Sequence, residues 1–487
     1  MTQRVLRYLV AVAGLLFLAI GVGLLLAPGR QAAMFAVLPS GSAGLSTIRA
    51  DLAGLFLVMG ASALIGAVRG SVATLVVPTT LLGVIASGRL VNLIADGSSP
   101  DALRSLGVEL VVGTLLVLTI ASLRKSTRVR LGALLAIPVI VLAMLGGAYV
   151  FQRPLGLTLM KRFVDQGMAN QLVASLPDGL HVGLCGSGSP MPDATRSGPC
   201  VVVIAGRHVF IVDVGEGGPR KLALMGVQPG LIEGVLLTHF HSDHIGALGE
   251  LLLQRWTTGS HADQLPVYGP QGVEAVVAGF NLAYGLDKGY RVAHHGAATM
   301  PPSGSGGEAH PFTIVEGSDA AQVVLQRDGL TITAFPVDHT PIFPAVGYRF
   351  DYGGRSIVIS GDTAPSQSLA KAATGADVLF HEGLQVTMVG VMNEAAERAG
   401  RATAAKITHD IPSYHTTPED AAKLATQAGV KALVFYHTIP PLPVSYLNAV
   451  FLGDARKLYS GPITVSTDGL LVTLPSGTDA ITQRNLL

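Results

Sequence analysis

Residues 238–247 read Thr-His-Phe-His-Ser-Asp-His-Ile-Gly-Ala, and four of these side chains can bind a metal: His239, His241, Asp243 and His244. Imidazole plus carboxylate is the ligand set that zinc prefers and that iron and manganese also accept. Val235, Leu236 and Leu237 precede the run and read as a strand, and Ile-Gly-Ala-Leu after it reads as the start of a helix. Side chains alternate along a strand, so a strand ending near His241 points His239 and His241 to one side. Asp243 and His244 then face the same cavity from the turn into the helix. This spacing puts ligands for two metals side by side. Two metals sharing a water lower its pKa from about 15.7 toward about 7, so the expected chemistry is hydrolysis by metal-activated hydroxide.

The run matches a His-x-His-x-Asp-His motif, and residues 180–475 resemble the metallo-β-lactamase superfamily of metallohydrolases. Strands are expected at 180–184, 201–205, 209–212, 329–335, 356–359 and 433–436, alternating with helical segments. A helix is expected at 417–428, with Pro418 in its first turn. The resemblance implies an α/β fold, a four-layer αβ/βα sandwich with the metals at one edge between two sheets. It also implies the remaining ligands. His339 in Pro-Val-Asp-His-Thr-Pro, Asp362 in Ser-Gly-Asp-Thr and His437 in Phe-Tyr-His-Thr match later family motifs. His239, His241 and His339 would hold one metal, Asp243, His244 and His437 the other, and Asp362 would bridge them. Asp213, ending Phe-Ile-Val-Asp, would orient a ligand histidine. The implied cofactor is two zinc ions, with iron or manganese accepted by the same ligands. Asp243 is counted among the catalytic residues.

Two further segments resemble the ribonuclease Z branch, which also includes arylsulfatase-like and phosphodiesterase-like enzymes: His381-Glu382-Gly383 and His415-Thr416-Thr417. There, Glu382 would hold His415 in the right tautomer and His415 would protonate the leaving oxygen. Tyr268-Gly269-Pro270, Gly347-Tyr348-Arg349 and the loop Gly186-Ser187-Gly188-Ser189 fit the same branch. Some features depart from it. Gly383 stands where Ala-Thr is usual, and no Ser-Ser-Arg follows His437. The 22 residues between His339 and Asp362 leave no room for a long basic tRNA-gripping arm. Residues 294–311, with His294, His295 and His310, read as a loop insertion near the site mouth.

The elements that carry this site occupy only part of the chain. With 487 residues it exceeds one ordinary domain. Only 13% of residues are charged, the net charge is +1, and all 14 histidines lie beyond residue 180. Five apolar stretches precede them, at 8–27, 50–68, 72–95, 106–122 and 131–150, each near the roughly 20 residues that span a bilayer. The expected organisation is a four-span membrane module at 1–127, a fifth transmembrane helix and linker at 128–178, and the hydrolase domain at 179–487. The whole is then an α/β domain preceded by an all-α transmembrane bundle of about five helices.

Basic residues set the orientation. Arg4, Arg7, Arg69, Arg124, Lys125, Arg128 and Arg130 fall on one side if every stretch crosses, and that side reads as cytoplasmic. Arg153, Lys161 and Arg162 run against this. The expected location is the bacterial plasma membrane, multi-pass, with the catalytic domain outside the cytoplasm. Arg49, Asp51, Arg89 and Glu109 are charges within the spans, expected to pair, to snorkel or to mark a functional path. Cys185 and Cys200 are the only cysteines; outside the cytoplasm they could form a disulfide, and two free core thiols fit the sequence equally.

The expected function is a membrane-anchored dinuclear zinc hydrolase of a small-molecule ester, a phosphodiester or aryl sulfate first. Nucleic acid is not expected as a partner; the lipid bilayer is, and an oligomer is compatible with the sequence. The alternatives are a ribonuclease Z-like tRNA 3′ endonuclease, a lactonase, or a membrane sensor or transporter with a regulatory metal-binding domain.

Overall fold

Along β1 (Gly179–Gly186) and β2 (Cys200–Ala205) every residue is buried, and alternate side chains serve two different layers. Leu180, Val182, Leu184, Val201 and Val203 face one core, while Cys185, Cys200, Val202 and Ile204 face another. A strand apolar on both faces belongs in the middle of a layered fold. The computed structural model describes residues 3–33, 35, 41–95, 100–123, 152–169 and 171–487. These residues form two compact units, Met1–Asp165 and Gln166–Leu487.

The second unit holds two sheets. One has eight strands in the order β15-β14-β1-β2-β3-β4-β5-β6 and the other seven in the order β13-β12-β11-β10-β9-β8-β7. The first includes β3 (His208–Val212), β4 (Ile232–Leu236), β5 (Leu265–Pro270), β6 (Gly307–Phe312), β14 (Leu470–Pro475) and β15 (Thr482–Asn485). The second comprises β7 (Gln322–Arg327), β8 (Leu330–Pro336), β9 (Val346–Tyr352), β10 (Arg355–Ile359), β11 (Val378–Leu384), β12 (Ala432–Ile439) and β13 (Ile463–Val465). Between the sheets lies a core that includes Val182, Val203, Phe210, Ile332, Phe350, Ile357, Phe380 and Val434. Helices cover both outer faces, as Leu248 and Leu251 do on one and Ala421 and Ala425 on the other. This is the αβ/βα sandwich.

In each sheet four strands run parallel: β3 through β6, and β10 through β13. Loops leaving the carboxyl ends of parallel strands are where such sheets build sites. The expected strands at 201–205 and 209–212 appear as β2 and β3, joined by the Gly206-Arg207 turn. The expected helix at 417–428 is Pro418–Ala428, and Thr417 caps it by accepting from Asp420 N. Residues 294–311 are not one loop. His294 and His295 end the helix Gly285–His295, and Gly307–Phe312 is the edge strand β6.

The first unit is helical: α1 (Gln3–Leu26), α2 (Ala53–Arg69), α3 (Val72–Ala95) and α4 (Pro100–Leu123). Four helical stretches, Gln3–Leu26, Ala43–Arg69, Val72–Arg89 and Arg104–Leu123, are long and apolar enough to cross a membrane by length and composition. Helices α1 and α2 approach closely at glycines: a Cβ on Gly60 would stand 2.7 Å from Gly14 O. Arg89 and Glu109, expected as charges within the spans, pair across α3 and α4 at 2.6 Å. The expected fifth span at 131–150 lies outside the described residues. The part of 128–178 that follows the expected fifth span, read as a linker plus a short amphipathic stretch, holds the helix Gln152–Ala169.

Candidate metal centre

Strand β4 ends at Leu236, five residues before the expected end at His241. The backbone explains why. Leu237 N makes the last ladder bond, to Tyr268 O on β5, but Leu237 O accepts from the Tyr348 hydroxyl on β9 at 2.7 Å and Thr238 N turns to Asp213 Oδ1. The segment thus leaves the sheet as a pinned loop, held by residues of two segments noted in the sequence. His239 and His241 sit on this loop, yet they still converge, with His239 Nε2 and His241 Nδ1 2.9 Å apart. Asp243 and His244 lie on the short helix Ser242–Ile245.

Other strand ends bring in the remaining residues. His339 follows β8, and its Nε2 lies 3.5 Å from His241 Nδ1. Asp362 follows β10, with Oδ2 3.4 Å from His244 Nε2 and 3.3 Å from His437 Nε2. His437, within β12, also lies 3.3 Å from Asp243 Oδ2. The groups His239–His241–His339–Asp362 and Asp243–His244–His437 each present ligand atoms within 4.8 Å of one another. Asp362, His415 and His437 form a third such group. All seven side chains expected from the sequence therefore meet at one place, and all but His241 are buried.

Their orientations are fixed from outside. Asp213 Oδ2 lies 2.8 Å from His244 Nδ1, and the same carboxylate accepts from Thr238 N and Thr238 Oγ1 at 2.8 Å each. His339 Nδ1 donates to Tyr414 O at 3.0 Å. Asp213 and His437 have φ of 57° and 46°, among four described non-glycine residues with positive φ. Backbone in this region costs about 1–3 kcal/mol and clusters at functional sites. Gly215 is required by close approach: a Cβ there would stand 2.5 Å from Asp243 O.

Charges in the cluster oppose each other. Burial disfavours a charged His244, but Asp362, Asp213 and Asp243 outweigh it and raise its ring well above the ordinary value. Burial, with His244 adding, pushes His239 well below. Burial favours a neutral Asp362, but His437 and His244 overcome it and hold the carboxyl well below the usual range. His244 Nε2 and Asp362 Oδ1 are buried and have no hydrogen-bond partner among the described residues. Buried polar atoms without partners are costly. Imidazole nitrogens and carboxylate oxygens converging in this way fit a bound cation.

Beside this cluster, His415 Nδ1 lies 3.2 Å from Glu382 Oε1, as an electrostatic contact rather than an aligned hydrogen bond. Burial works against the charged ring, but Glu382 raises His415 above its ordinary value. Glu382 is anchored by Thr416 N at 2.8 Å. Thr416 Oγ1 in turn donates to Thr363 O, next to Asp362. His381, in the same motif, turns its Nδ1 to Glu382 O at 2.7 Å.

The glycine loop 186–189 belongs to this neighbourhood: Ser187 O accepts from Thr438 N, beside His437, at 3.3 Å. Asp468 holds the loop through Ser187 N and Oγ at 3.0 Å each and Ser197 N at 2.8 Å. The sequence reading missed Asp468, Thr238 and Thr416 as supports. Thr238 and Thr416 adjoin the motifs and were within reach, whereas Asp468 lies in a Thr-Asp-Gly turn with no chemical signal. Cys185 and Cys200 are joined as a disulfide at the base of the same loop, with Cα atoms 5.0 Å apart.

The Beta-lactamase superfamily domain matches residues 217–438. Ribonuclease Z of Mycobacterium bovis (strain BCG / Pasteur 1173P2) is 39% identical over 291 residues, covering 59% of this chain and 96% of the relative. Ribonuclease Z of Mycobacterium marinum (strain ATCC BAA-535 / M) is 38% identical over 265 residues, covering 54% and 88%. Among solved structures, human tRNase Z, short form, is 20% identical with a TM-score of 0.43, covering 61% of this chain and 99% of its own. The metallo-β-lactamase fold protein YhfI from Bacillus subtilis is 19% identical with a TM-score of 0.42, covering 61% and 100%. Fold and site define a metal-dependent hydrolase of ester bonds. The chain belongs to the metallo-β-lactamase superfamily, in its ribonuclease Z branch.

Proposed function

We propose that the chain is a metal-dependent phosphodiesterase that cleaves RNA in the manner of its ribonuclease Z relatives. The match across 96% of ribonuclease Z carries this reading. It displaces the small-ester expectation from first place and brings nucleic acid back as a partner. The phosphodiester is preferred over the aryl sulfate on the same ground.

His239, His241 and His339 would hold one metal, and Asp243, His244 and His437 a second, with Asp362 between them. Zinc is the first choice for this set. When bound, such a pair supplies Lewis acidity and an acidified water. Asp213 holds His244 in the tautomer that turns Nε2 inward. Glu382 holds His415, whose raised affinity for a proton suits it to donate one to the leaving oxygen. Asp243 is placed to accept a proton from the attacking water.

A second reading keeps the same chemistry for a small phosphodiester outside the cytoplasm. The disulfide between Cys185 and Cys200 and the basic residues flanking the apolar stretches favour it. In this arrangement residues 1–127 are the membrane module, 128–178 a fifth crossing and linker, and 179–487 the hydrolase.

The test is the metal-loaded full chain on a 3′-extended tRNA precursor, bis(p-nitrophenyl) phosphate and p-nitrophenyl sulfate. Cleavage of the precursor at one position supports the first reading. Cleavage of the diester alone supports the second, and hydrolysis of only the sulfate overturns both.

A further inference from the structure

We propose that the helical unit binds a neutral lipid with one apolar chain and a hydroxyl-bearing head, independently of the hydrolase reading. A cavity of about 510 Å³ lies among α1, α2, α3 and α4, within the roughly 300–1,000 Å³ range of small-molecule sites. Phe17, Phe56, Leu82 and Ile85 line its apolar body, and Phe17 and Phe56 pack with ring centroids 5.9 Å apart. Arg89 and Glu109 also line it. An ion pair in an apolar cavity is expensive to bury and persists only when its remaining polar atoms are satisfied.

One of those atoms is not. Glu109 Oε1 accepts from Arg89 Nε at 2.6 Å, while Glu109 Oε2 is buried and accepts no hydrogen bond from any described residue. The guanidinium has further N–H groups beyond Nε. A hydroxyl answers the need of Oε2 by donating to it, and its own oxygen can accept from the guanidinium. The pair is already neutral, so a carboxylate or phosphate head would add an uncompensated charge to an apolar site. Arg104 also lines the cavity, with its side chain exposed. The lipid class follows from the outer surface of the same helices, where Leu15, Leu16, Val58 and Val111 are exposed. Such a surface belongs in a bilayer, which supplies single-chain amphiphiles by partition.

The test uses the full chain in phosphatidylcholine nanodiscs and a photoreactive diazirine analogue of monooleoylglycerol. Unlabelled monooleoylglycerol, oleate and methyl oleate compete. Saturable labelling within α3 and α4 is expected, displaced by monooleoylglycerol. Methyl oleate lacks the donor and should compete about tenfold less well or worse, the equivalent of one hydrogen bond to a charged group. Oleate should also be weaker. Glu109→Leu, which removes the acceptor, should erase the difference between monooleoylglycerol and methyl oleate. Ile85→Trp, which fills the cavity and leaves the ion pair intact, should abolish saturable labelling even if the Glu109 variant fails to fold. Labelling scattered over the helices and not competed overturns the proposal. So does equal competition by methyl oleate, preference for oleate, or wild-type labelling of Ile85→Trp.

Discussion

Asp213 Oδ2 stands 2.8 Å from His244 Nδ1, while Nε2 of that ring faces Asp362 Oδ2 at 3.4 Å. The carboxylate is saturated on its own side by Thr238 N and Oγ1, so it has one task left, to accept the Nδ1 proton. That leaves the Nε2 lone pair directed into the cluster. Asp213→Ala should therefore weaken metal binding by about 10–100-fold, the usual effect of losing an outer partner. Titration of the full chain against a chelator measures it. Unchanged affinity in a folded variant would mean that His244 needs no orientation.

His415 gives a different signature. If it protonates the leaving oxygen, its removal matters in proportion to how badly that oxygen leaves. His415→Ala should lower cleavage of an alkyl phosphodiester by about 10²–10⁴-fold. Cleavage of bis(p-nitrophenyl) phosphate, whose phenolate leaves unaided, should fall much less. Glu382→Gln should lie between wild type and His415→Ala on the alkyl ester. Equal losses on both substrates would assign His415 to metal binding instead, alongside Asp362 and His437.

The residues that meet at the centre were legible because few side chain types bind a cation and their order along the chain matches the branch. His239 through His437 could be named without knowing where any strand stops. The local geometry was less legible. The apolar run through Leu237 looks like continuous strand, but pairing ends at Leu236 because the Asp213 carboxylate and the Tyr348 hydroxyl capture Thr238 N and Leu237 O. Whether a strand stops depends here on partners 25 and 111 residues away, and periodicity carries no such information. Asp468 was invisible for a related reason: its partners, Ser187 and Ser197, are more than 270 residues distant. Residues 294–311 misled through composition, since glycine and proline there punctuate a helix end and an edge strand.

The disulfide closes a short loop that carries Ser187 to the side of His437. Crosslinks of about this span stabilise by roughly 3 kcal/mol in the chain-entropy account. A Cys185→Ser, Cys200→Ser double variant should lose about that much, read as a lower denaturation midpoint for the second unit. Activity should fall with it, because Gly186 to Pro199 would be held only by Asp468, by Arg196 bonded to Ser466 O and Leu442 O, and by backbone bonds. A variant with wild-type midpoint and rate would show that Asp468 and Arg196 hold the loop without the crosslink.

The same bond separates the two substrate readings. Disulfides persist where the environment is oxidising, whereas structural RNA processing takes place in a reducing compartment. Alkaline phosphatase fused after residue 160 reports the side directly, since it folds only outside the cytoplasm. Active fusions, together with Cys185 and Cys200 recovered as one crosslinked peptide from non-reduced cells, are expected if the small-phosphodiester reading holds. Inactive fusions with free thiols are expected if the chain processes RNA. In that case, if Arg4 and Arg7 keep the N-terminus in the cytoplasm, an even number of apolar stretches crosses before residue 160.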